Sequence, residues 1–198
     1  MEEFADIASD VLNKHYGIDR KVARKRYIET SGLPFEQQIE IIVPGGEKNK
    51  ECVKEFEETK LKPFFDEKFS DDVHNALENI KNMGFKMCIS SGNYQNLLEE
   101  FINREGLEFD IILGFHKGLA KGKEHFDYIR NQLGAAKHNM LFCGDSLKDA
   151  EKAFDYGINF IGRTGIFSKN DFQKRFSDIK VVDKISQVYK LLRKIKDK

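Results

Sequence analysis

The chain has 198 residues, enough for one domain or for a core with a smaller cap, and enough to bury a sizeable core. Its 33 basic residues balance 33 acidic ones, which argues against a general surface for nucleic acid or an anionic membrane. The start is acidic and amphipathic, unlike a secretory leader, and no apolar run approaches the roughly 20 residues of a membrane span.

Residues 2–16 carry Phe4, Ile7, Ala8, Val11, Leu12 and Tyr16 at helical spacing, with Gly17 as the stop. A second helix is expected over 20–30, a break at Ser31-Gly32-Leu33-Pro34, and short helices over 35–42 and 48–61 around Pro44-Gly45-Gly46. This first third contains no convincing strand. From Asp71 the pattern changes. A helix with Val73, Ala76, Leu77, Ile80 and Met83 ends at Gly84, and a strand is expected from Phe85 to Ile89. Helix 94–104, strand Phe109–Leu113, helix 123–133, strand Met140–Cys143, helix 147–156 and strand Ile158–Ile161 follow. A last strand, Ile179–Val182, precedes a C-terminal helix. Alternation of this kind means βαβ units and a parallel, doubly wound α/β sheet, so residues 1–68 are expected to form a helical cap domain and 69–198 the α/β core. Cys52, Cys88 and Cys143 have no metal or redox spacing; Cys88 and Cys143, in expected buried strands, read as small apolar core residues, and a reduced, cytoplasmic setting is expected.

The run Met140-Leu141-Phe142-Cys143-Gly144-Asp145-Ser146-Leu147-Lys148-Asp149 carries the most chemistry. A short apolar strand ends in glycine, and two carboxylates follow four positions apart. Strand C-terminal ends are where open α/β sheets bind ligands, and two carboxylates there suit Mg²⁺, which prefers oxygen. The competing reading is that Asp145 or Ser146 merely caps the next helix.

Three stretches together resemble the haloacid dehalogenase superfamily, mostly Mg²⁺-dependent phosphatases. Gly144-Asp145-Ser146-x-x-Asp149 with Ala153 and Gly157 is similar to its fourth motif. Lys86-Met87-Cys88-Ile89-Ser90-Ser91-Gly92-Asn93 is similar to its second, and Lys121-Gly122-Lys123-Glu124-His125-Phe126 to its third. The resemblance covers residues 67–166 well and 1–66 loosely. It implies that Asp145 is a metal ligand and that Asp149 orients the metal shell. It implies that Ser90 bonds a phosphoryl oxygen, aided by the amides of Ser91 and Gly92 at a helix start. Lys121 would neutralise phosphate charge, with Lys123 and Lys117 as competitors. Helix capping is the alternative for Ser90 and Ser91. His125, inside the expected helix, reads as a partly exposed packing residue.

The family's first motif, an Asp-x-Asp that supplies the attacking carboxylate from the end of the first strand, is absent. Asp6 and Asp10 lie four apart on an expected helix with no strand before them, and read as solvent-facing carboxylates. The expected function is a phosphatase-type hydrolase of a small phosphorylated metabolite, truncated before its central strand and so inactive. The alternative is a non-catalytic relative that binds phosphate, metal or a partner. Neither reading names the substrate or the oligomeric state.

Overall fold

A computed structural model describes residues 2–196, which divide into two compact units, residues 2–68 and 69–196. No described helix is long and apolar enough to cross a membrane.

The first unit is all helical: α1 (Glu2–Tyr16), α2 (Arg20–Glu29), α3 (Phe35–Ile42) and α4 (Asn49–Asp66). The apolar stripe of α1 buries Ala5, Ala8 and Leu12 completely, against a core that includes Ile39, Cys52 and Phe56. Phe35 and Phe56 stack with ring centroids 4.0 Å apart. Asp19 caps α2, its carboxylate accepting from the amides of Lys21 and Val22. Tyr16 ties α1 to α4, donating to Asn49 Oδ1 at 2.7 Å while accepting from the Lys48 amide at 3.0 Å. Helix α4 runs past its expected end, through Pro63 to Asp66. Proline costs a helix one hydrogen bond, and burial of Phe64 just beyond it favours continuing the turn. Asp6 and Asp10 lie on α1 with exposed side chains and pair with Arg24 and Arg20. Tyr27 belongs to the apolar core.

The second unit is α/β with parallel strands. Its elements are α5 (Asp71–Asn82), β1 (Cys88–Tyr94), α6 (Gln95–Glu105), β2 (Ile111–Phe115), α7 (Lys123–Leu133), β3 (Leu141–Gly144), α8 (Leu147–Tyr156), β4 (Asn159–Arg163), α9 (Lys169–Arg175), β5 (Lys180–Val182) and α10 (Ile185–Lys196). Phe126, Ala150, Ala153 and Phe172 are buried at the centre of its largest apolar cluster.

Two differences from the sequence expectation bear on the site. Strand β1 begins at Cys88 rather than Phe85, which is exposed. Asp110 holds the entry: its carboxylate accepts from Lys86 Nζ at 2.7 Å and from the Met87 amide at 2.8 Å, so pairing with β2 starts after it, at Cys88 opposite Ile111. Because β1 extends to Tyr94, α6 starts only at Gln95. Ser91 and Gly92 are therefore strand residues, and the expectation that their amides open a helix is corrected.

The strands also form two sheets instead of one. β1 pairs with β2, and β3-β4-β5 form the second sheet, with Cys143 opposite Ile161 and Ile161 opposite Lys180. Among the described residues no strand pairs with the second edge of β1 or of β3.

Candidate active site

Glycine ends β3 for a reason of space. A Cβ on Gly144 would stand 2.6 Å from Asp149 Cβ and 2.7 Å from its Oδ2, so the bare backbone lets the first turn of α8 fold back onto the strand. That turn is capped by Ser146, which is buried and accepts the Asp149 amide at 3.0 Å. Capping thus falls to Ser146, and Asp145 lines a cavity instead.

The cavity, of about 210 Å³, is lined by Ser90 from β1, by Lys121, by Phe142, Cys143 and Gly144 from β3, and by Asp145 and Asp149. Arg163 at the end of β4 and Ile185 at the start of α10 complete it. The second, third and fourth motif stretches therefore converge on one space, lined from both sheets.

Asp149 has no exposed surface, and its Oδ1 stands 2.8 Å from Lys121 Nζ. Oδ2 has no hydrogen-bond partner. Lys121 is 13% exposed and lies 5.6 Å from the centroid of the Phe142 ring, a position where a cation is attracted to the π face. Its rival Lys123 is exposed and bonds Asp127 at 2.7 Å along α7, and Lys117 is exposed as well. Neither lines the cavity.

Ser90 does not cap a helix. Its Oγ lies 2.8 Å from Nδ1 of His125, which projects from the first turn of α7. His125 is fully buried, against the expectation of a partly exposed ring. Burial lowers its pKa from the usual 6.5 to about 4, although the backbone of Leu119 and Gly114 pulls the other way, so the ring is neutral at pH 7.

Of the cavity-lining residues, sequence reasoning missed Arg163 and Ile185. Arginine after a strand carries no motif of its own, though its position at a strand C-terminal end was a usable signal. Lys152 packs its stem toward Gly122, and burial, then the Lys121 charge, lowers its pKa to about 8. Cys143 is disqualified as a nucleophile: burial and the Asp145 charge raise its thiol to about 11, which keeps it protonated.

The described residues contain no cluster of three or more His, Cys, Asp or Glu that could hold a metal by themselves. The donor set still fits a hard cation in part. Asp145 is released from capping to line the cavity, and Asp149 Oδ2 is a buried oxygen without a partner. Mg²⁺ characteristically takes only one or two carboxylates and fills its remaining positions with water and substrate phosphate.

Comparison with known proteins bears on the fold and the family. No curated protein matches the chain in sequence. Solved structures share the fold. A protein named as a haloacid dehalogenase-like hydrolase from Bacteroides fragilis aligns with a TM-score of 0.79 at 20% identity, covering 94% of this chain and 92% of that one. A predicted phosphatase from Clostridium acetobutylicum aligns at 0.78 and 16% identity, covering 97% and 93%. CbbY from Rhodobacter sphaeroides, solved with xylulose-(1,5)bisphosphate, aligns at 0.71 and 14% identity, covering 94% and 89%. The description "haloacid dehalogenase-like hydrolase" matches residues 4–163, most of both units, and the chain belongs to that family.

Proposed function

We propose that this protein is a phosphatase-type hydrolase of a small phosphorylated metabolite, working by Mg²⁺-assisted phosphoryl transfer. The observation that carries the reading is the convergence of Ser90, Lys121, Asp145 and Asp149 on one cavity. Ser90 donates to a phosphoryl oxygen, and Lys121 offsets the charge that phosphate brings, held in place by Asp149. Asp145 and Asp149 would hold the cation, which when bound neutralises the phosphoryl oxygens and orients them for in-line attack. In this reading residues 1–68 act as a cap that selects the leaving group.

The attacking group is a separate question. Asp145 and Asp149 are the carboxylates that line the cavity, and both are committed to the cation and to Lys121. The reading therefore places the nucleophile on an extended strand from outside residues 1–198, paired with the free edges of β1 and β3. Residues 1–198 alone are then inactive, because the covalent route needs its nucleophile.

The test is hydrolysis of an aryl phosphate with Mg²⁺, comparing the 198-residue chain with one extended at its N-terminus by the upstream coding sequence. Turnover by the extended chain only is the expected result. Turnover by the 198-residue chain would overturn the strand proposal. An upstream sequence without a strand ending in Asp-x-Asp, with no activity in either chain, would favour the non-catalytic alternative.

A further inference from the structure

His125 is the buried titratable group that the proposed mechanism leaves unused. It is fully buried, its Nδ1 is 2.8 Å from Ser90 Oγ, and its Nε2 has no hydrogen-bond partner. A neutral imidazole carries one proton, and the choice of nitrogen decides what Ser90 can do. With the proton on Nε2, that buried N–H meets no acceptor in hydrogen-bond geometry, although the Leu119 and Gly114 backbone acts on the ring, and the serine hydrogen is spent on Nδ1. With the proton on Nδ1, the ring donates to Ser90, and the serine hydrogen is free for the cavity. Orphaned buried N–H groups are rarer than under-used acceptors, which favours the second arrangement.

The same short segment sets both contacts. Lys121 lies two residues before α7 and reaches Asp149, while His125 in the first turn reaches Ser90. One helix start thus registers the β1 side of the cavity against the β3 side.

We infer that His125 is a positioning residue: its Nδ1–H holds Ser90 Oγ so that the serine hydrogen points into the cavity and donates to a phosphoryl oxygen. This rests on the reading of Ser90 as a phosphate contact, and it is testable apart from it.

The first measurement is the pair of imidazole ¹⁵N shifts of His125 at neutral pH in the 198-residue chain. The proton should be found on Nδ1, with the Nδ1 shift moving in Ser90→Ala. A proton on Nε2, drawn by the backbone of Gly114 and Leu119, overturns the inference whatever the site binds. The second measurement is titration with inorganic phosphate in the presence of Mg²⁺. His125→Asn puts an amide N–H where Nδ1 stands and should keep affinity within a factor of about two, whereas His125→Gln, whose amide reaches the Nε2 position, should lose about tenfold. Equal affinities in the two variants overturn the positioning role. If the parent chain binds no phosphate, the reading of Ser90 as a phosphate contact in these 198 residues fails, and the nitrogen shifts alone decide the role of His125.

Discussion

Lys121 and Asp149 show how burial changes the meaning of a charge. On the surface such a pair contributes little, up to about 1 kcal/mol. Here the carboxylate has no exposed surface, and removing either partner would strand the other. His125 gives this scale its measurable consequence. Its folded pKa of about 4 lies below the ordinary 6.5, so between those values the unfolded chain binds more protons than the folded one. Stability is therefore unaffected above pH 6.5 and falls as pH drops toward 4, by about 3 kcal/mol in total for this group. Urea unfolding of the parent chain and of His125→Asn from pH 7.5 to 4.5 should show the parent losing the additional stability. Parallel pH profiles would mean that the ring is already charged, or already wet, in the folded chain. That Ser90, Lys121, Asp145 and Asp149 would meet at one cavity was legible in the sequence because each belongs to a motif with fixed spacing. His125 was not, since a histidine inside a helix carries no sign that β1 will deliver a hydroxyl to it across 35 positions.

Among elements, those with strong apolar periodicity and a glycine stop were the easiest to read. Helices α6, α7 and α8 end at Gly106, Gly134 and Gly157, each left-handed, where other residues would be strained. Helix α9 was missed because Phe172 is its one buried residue, too little for a periodic signal. Its capping box, Ser168 with Asp171, was the available clue. The start of β1 was misplaced by three residues because Phe85 looks like a strand residue, while the side chain of Asp110, distant in sequence, decides where pairing begins. Within α8 the cap has a measurable weight. Ser146→Ala removes the bond to the Asp149 amide and should cost about 1 kcal/mol, a downward shift in the denaturation midpoint without a change in slope. A larger loss would mean that the cap also fixes the Lys121–Asp149 pair. No loss would mean that Asp145 takes over as cap.

At the scale of the whole second unit, the alternation of strands and helices was readable, but the division of the strands was not. Periodicity identifies strands; it does not say which edges meet. Two parallel neighbours stand about 4.8 Å apart, so an added strand between β1 and β3 would set those two at roughly twice that spacing. Hydrogen exchange can find it. In the 198-residue chain the outward amides of β1 and β3 should exchange much faster than those facing β2 and β4. In an N-terminally extended chain the difference should vanish. Persistence of fast exchange there would rule out pairing at these edges. The two sheets carry a further consequence, for handling. A strand edge with open donors and acceptors accepts any extended backbone, including that of another copy. In the proposed reading the 198-residue chain keeps those edges open and should self-associate, so the shelf life of a concentrated sample becomes a readout of whether they are satisfied.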